Sequence, residues 1–187
     1  MKNLGFLLFL NLLVLSCSSP EARDPVTRKT GSYINESVAR NKKLLQREEA
    51  IIQGIIKEDT VHDYLSSDSG FWYFYNKRTA DSISTIKPEY GDVVSFDYEI
   101  RTLSDQPIYK KGELPTKTYT MDKEELFSGL RDGLKLMKEG ETVTFLFPSY
   151  KAFGYYGDKN RIGTNLPVKT VVSLHSIRKK EAINNKS

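Results

Sequence analysis

At 187 residues the chain holds one domain with extensions rather than two full domains, and one core of about a hundred residues is within its reach. Hydrophobic residues at 39% and a mean hydropathy of −0.47 suit a soluble globular protein. The formal net charge of +4 is spread without a block of five like charges, which excludes a basic nucleic-acid arm, and no nucleic-acid motif is present.

Met1-Lys2-Asn3 gives a basic start, and LGFLLFLNLLVL (4–15) is apolar apart from Asn11. Such a stretch is too short to cross a bilayer and reads as the core of an export signal covering residues 1–16. It ends at VLSC, with Cys17 the only cysteine in the chain. A small residue followed by cysteine at this place resembles the bacterial lipoprotein cleavage site, which would make Cys17 a lipid-bearing N-terminus. Ordinary cleavage near Ser16 is the alternative. Residues 17–32, with two prolines, small residues and charges, read as a flexible anchored tether.

From Tyr33 to Glu58 the apolar positions Ile34, Val38, Leu45, Ile52 and Ile56 recur at helical spacing, and Leu44, Ile51 and Ile55 widen the stripe. This amphipathic helix must bury its stripe, on its own domain or on a second copy as a homodimer through residues 33–58. GFWYFYNKR (70–78) reads as an aromatic strand, and 81–90 as turn-like. GDVVSFDYEIRTL (91–103) alternates Val94, Phe96, Tyr98 and Ile100 on one face, as a half-buried strand does. KTYTM (117–121) predicts a further short strand. Leu126, Phe127, Leu130, Leu134 and Met137 predict a helix closed by glycine in KEG (138–140), starting either early from a capping box at Asp122 and Glu125 or later at Ser128. ETVTFLF (141–147) and VKTVVSLHSI (168–177) are the last strands. The order predicts an α+β fold, an antiparallel sheet with one short helix across it, preceded by the amphipathic helix.

The familiar catalytic groups are nearly absent. The two histidines, His62 and His175, lack ligand spacing, and there is neither a GxSxG motif nor a phosphate-cradling loop. No metal and no cofactor is expected. Rotation about an Xaa–Pro amide needs no ionisable group, because the twisted state loses resonance and much of its dipole. Aromatic walls and a few backbone N–H donors are enough. FPSYKAFGYYGD (147–158), with five aromatics among its twelve residues, is a candidate wall.

GDVVSFDYEI, ELFSGLRDGLKLMKEGETVTFLFPSYKAFG and LPVKTVVSLHSI resemble, in order and spacing, the FKBP-type peptidyl-prolyl isomerases over residues 87–179. The resemblance implies an isomerase domain at 87–180, behind a helix-and-strand extension at 33–86. It also implies a helix starting near Ser128, and a pocket of Tyr98, Leu126, Phe127, Phe153 and Leu166 with Leu130 as floor and Val172 behind. The backbone N–H of Phe127 would meet a substrate carbonyl, and Tyr119 would be a core aromatic.

Three positions depart from the family pattern. Phe153 replaces a tyrosine, Tyr109 stands where the pocket aspartate is expected, and Lys117 where an aromatic is. Weakened macrolide binding follows more firmly than lost catalysis. The extensions are similar to those of the gliding-motility-associated isomerase lipoproteins. That likeness implies a folding helper for exported proteins of the motility or secretion machinery, lipid-anchored in the cell envelope at the periplasmic face of the outer membrane. The partners expected are proline-containing segments of exported proteins and the membrane, with no nucleic acid. A non-catalytic proline-binding chaperone module on the same fold is the alternative.

Overall fold

The computed structural model describes residues 30–80 and 84–180. The export signal, Cys17 and the tether to residue 29 lie outside the described residues. The chain divides into two compact units between Val38 and Ala39. Of the first, the described part opens helix α1 (Thr30–Glu58), where Tyr33, Ile34 and Val38 are exposed. No described helix is long and apolar enough to cross a membrane.

The second unit is built on a seven-stranded antiparallel sheet. Its strands are β1 (Leu65–Ser67), β2 (Phe71–Lys77), β3 (Val93–Thr102), β4 (Pro107–Tyr109), β5 (Lys117–Thr120), β6 (Thr142–Phe147) and β7 (Val168–Arg178). The order is β1-β2-β6-β7-β3-β4, with β5 also paired to β3. Strand β7 is central, setting Val172 opposite Tyr98 of β3 and Thr170 opposite both Ile100 and Phe145. β1 and β4 were not expected. Each has only three residues, too few for period-2 alternation to register.

Helix α2 (Ser128–Leu134) lies against the core with Leu130 and Leu134 fully buried. It starts at Ser128, the later of the two expected starts, and ends sooner than expected. The early start fails because Asp122 has φ +59°, a left-handed turn conformation. Its carboxylate instead faces Arg131 and Lys135. At the far end, Leu136 and Met137 donate their N–H groups three residues back, to Gly133 and Leu134, so the helix tightens and stops there. Gly140 (φ +83°) belongs to the following turn rather than to the helix cap.

The aromatic strands pack by ring against ring. Phe145 and Phe147, successive inward positions of β6, stack at 5.4 Å and 9°, and Phe71 of β2 meets Phe147 edge-on at 5.2 Å. Helix α2 comes so close to these rings that only glycine fits at 129. A Cβ there would lie 2.6 Å from Phe147 and 2.8 Å from the Lys151 carbonyl. The aromatic strand of the N-terminal extension is thus part of the same sheet, paired along β6.

Over its C-terminal half, α1 docks within its own unit. Ile52 is fully buried, and Glu48, 4% exposed, accepts both the N–H (2.8 Å) and the Oγ–H (2.7 Å) of Ser149. After the helix, His62 stacks on Phe74 at 4.0 Å, and the Asp59 carboxylate accepts from the His62 and Tyr64 side chains.

Candidate functional site

The corner where β6 ends fixes the site. After Phe147, Pro148 and buried Ser149 begin a 3-10 turn, Ser149–Lys151, and Ala152 donates its N–H back to Pro148 and Ser149. Phe153 follows, then a second 3-10 turn, Gly154–Tyr156. Across from it, Phe127 is the extended residue just before α2, with φ −61° and ψ 143°. The rings of Phe127 and Phe153 face one another at 4.8 Å, and Phe127 rests edge-on against Phe147 at 5.6 Å.

Between these elements opens a cleft of about 580 Å³ lined by Tyr98, Lys117, Glu124, Glu125, Leu126, Phe127, Arg131, Ala152, Phe153 and Gly157. Four of the seven residues expected in the pocket, Tyr98, Leu126, Phe127 and Phe153, meet there. Leu130 and Val172 do not reach it, being fully buried beneath. Leu166 is half-buried against the core and lies outside the lining. Leu130 is fully buried on α2, beneath the walls.

Apolar walls carry a charged rim, of which the sequence had pointed only to Lys117. Glu124 accepts the Thr120 N–H (3.2 Å), and Arg131 pairs with Asp122 at 3.5 Å. The side chains of Lys117 and Glu125 make no hydrogen bond or ion pair among the described residues. No group of three or more His, Cys, Asp or Glu among the described residues is placed to hold a metal ion. Burial pushes the Tyr98 phenol above its ordinary pKa, so it is neutral and protonated at physiological pH. Beneath it lies fully buried Phe96, on the same face of β3 with its ring 5.6 Å away. The alternation within 91–103 already placed Phe96 on that face.

Tyr109 is engaged elsewhere. Its hydroxyl donates to the Asp158 carboxylate and accepts from Asn160 (3.1 Å), while the Arg161 guanidinium lies 4.9 Å from its ring centre. Arg161 also pairs with Glu113 and donates to the Ile108 carbonyl at 3.0 Å. Asp158 in turn accepts the N–H groups of Asn160 and Ile162. Together these contacts clamp the 157–162 loop to β4. Gly157 closes that loop so tightly that a Cβ would lie 2.1 Å from the Ile162 carbonyl oxygen. The partners are 49 residues apart in sequence, and no local pattern connects them.

An antiparallel sheet around one short helix, with a cleft at the helix start, is an FKBP-like fold. A solved peptidyl-prolyl cis-trans isomerase from Pseudomonas syringae pv. tomato has it too, with a TM-score of 0.59 and 17% identity over 74% of this chain and 96% of that one. Residues 84–175 match the family model for FKBP-type peptidyl-prolyl cis-trans isomerases, and this domain of the chain belongs to that family. The chain is also 27% identical over 126 residues to a probable FKBP-type peptidyl-prolyl cis-trans isomerase, FkpA, of Neisseria meningitidis serogroup B. That match covers 67% of this chain and 44% of the relative's length.

Proposed function

We propose that the protein accelerates cis–trans isomerisation of Xaa–Pro bonds in exported polypeptides, as a folding helper for motility or secretion machinery. It works from the periplasmic face of the outer membrane, held there by lipid on Cys17. The observation that carries the catalytic part is a cleft walled by Tyr98, Leu126, Phe127 and Phe153 in a domain of this family. A planar amide gives up hydration and dipole stabilisation on entering such walls, whereas the twisted amide has less of both to lose. The Phe127 N–H has no partner among the described residues and stands free to hold a substrate carbonyl. The envelope part rests on the apolar segment 4–15 and the cysteine that ends it.

Exchange NMR on Xaa–Pro tetrapeptides tests the catalysis. Catalytic amounts of the protein are expected to accelerate exchange, and Phe127→Ala is expected to lose at least about tenfold, the equivalent of one half-buried ring. Peptide binding without acceleration would favour the proline-binding chaperone, to which Phe153 and Lys117 lend support by lacking the family's polar and aromatic fittings. For the anchor, intact-mass measurement of the envelope fraction should find acyl groups on the chain and none after Cys17→Ala.

A further inference from the structure

Backbone N–H groups, side-chain hydroxyls and the Lys117 and Arg131 cations could donate to a substrate carbonyl in the cleft, and of these Arg131 is paired with Asp122 at 3.5 Å. Among the lining residues only Tyr98 carries a hydroxyl. Residue 153, on the facing wall, is phenylalanine. Tyr109 is not available, because its hydroxyl is committed to Asp158 and Asn160. The Tyr98 hydroxyl itself makes no hydrogen bond to any described residue, although its side chain is half-buried and its ring is fixed between Phe96 and the cleft. A hydroxyl with no protein partner, held on a fixed ring at the cleft, can donate to a ligand acceptor without breaking an existing bond in the protein. Lys117 and Glu125 are also unpaired, but their flexible, hydrated charges suit side chains of a client rather than one neutral carbonyl at a set position.

We propose that the Tyr98 hydroxyl is the side-chain donor that holds a substrate backbone carbonyl in this cleft, doing from β3 what residue 153 cannot do. The proposal rests on the isomerase reading. Its ligand class is the neutral amide carbonyl beside a proline. Because burial raises the phenol's pKa, the donor keeps its proton across the neutral range.

The test uses the full chain in detergent and the tetrapeptide Ala-Phe-Pro-Phe, with Tyr98→Phe, Phe153→Tyr and the double variant. Tyr98→Phe keeps the ring and is expected to lose about two- to tenfold in kcat/KM with Tm unchanged or raised. Phe153→Tyr is expected to restore most of that loss in the double variant, which a packing role for Tyr98 would not allow. Full activity in Tyr98→Phe, or a loss that the double variant does not recover, overturns the assignment. If the wild-type chain itself shows no turnover, the isomerase reading fails instead. The same variants are then read by peptide Kd: weakening by a similar factor in Tyr98→Phe keeps the donor, and an unchanged Kd removes it.

Discussion

Phe147 and Phe153 stand six residues apart and do opposite work. Phe147 is fully buried, with Phe145, Phe71 and Phe127 on three sides and α2 pressed against it. Phe153 has Phe127 on one side and the open cleft on the other. The same contrast holds for polar groups. In the packed region nearly every buried polar atom has a partner, as Glu48 does in Ser149. Around the cleft the Phe127 N–H, the Tyr98 hydroxyl and the charges of Lys117 and Glu125 are left without one. Rings closed on all sides hold the fold. Rings and donors left half-satisfied at one corner are available to a ligand.

The largest expected effect separates the two phenylalanines. Phe147→Ala leaves a cavity under α2 and is expected to cost about 3–5 kcal/mol in urea unfolding. Phe153→Ala is expected to cost about 1 kcal/mol while reducing kcat/KM roughly tenfold or more, since it removes half a wall. Equal stability losses would erase the distinction. Gly129→Ala comes next. Alanine is ordinarily the better helix former by roughly 0.5–1 kcal/mol, but here its methyl would meet the Phe147 ring and the Lys151 carbonyl. Backbone cannot move aside as a flexible side chain can, so a net loss of about 1–3 kcal/mol is expected. A stabilised Gly129→Ala would mean that α2 is free to lift from the rings.

Most of the packed region could be read in the sequence, and the cleft only in part, for physical reasons. The alternation of Val94, Phe96, Tyr98 and Ile100 and the spacing of Leu130 and Leu134 are one-dimensional traces of burial. They recovered β3, β6, β7 and α2 to within a few residues. β1 and β4 carry too few residues to leave such a trace. In the cleft, Tyr98, Leu126, Phe127 and Phe153 came from the resemblance rather than from periodicity. Glu124, Glu125 and Arg131 of the charged rim and the clamp of Tyr109 on Asp158 came from neither. Such contacts join distant segments at the surface, where residue type is weakly constrained.

Carboxylates sharpen the comparison through pH. Burial pushes the Asp92 pKa up, but hydrogen bonds from the Lys180 and Glu89 N–H groups and from Lys179 Nζ, at 2.8–3.0 Å, outweigh it and hold the carboxyl below its ordinary value. A folded pKa below the unfolded value, about 3.9, means stability that is present above that pH and lost as pH falls through it. Asp92→Asn is therefore expected to cost about 1–2 kcal/mol at pH 7, with the gap to wild type closing as pH falls below about 4. Glu125→Gln, at the open rim, is expected to leave stability at pH 7 unchanged, because its side chain has no hydrogen bond or ion pair to lose. Parallel curves for Asp92→Asn and wild type would show that its hydrogen bonds do not depend on its charge.

The smallest effect compares two hydroxyls. Thr170 is fully buried in β7 opposite Ile100 and Phe145, and its Oγ1 has no hydrogen-bond partner among the described residues. The Tyr98 hydroxyl is likewise unpaired, but it belongs to a residue that opens onto the cleft. Sealed away, the threonine hydroxyl has lost its water and gained nothing, so Thr170→Val, of nearly the same shape, is expected to stabilise the fold by about 1 kcal/mol. Calorimetry would read this as a rise in Tm of roughly 4 °C, with turnover of tetrapeptides unchanged. Tyr98→Phe is expected to do the reverse, leaving Tm where it was or slightly higher and lowering turnover. A fall in Tm for Thr170→Val would show that its hydroxyl is in fact satisfied, leaving the cleft as the place where unpaired polar groups collect.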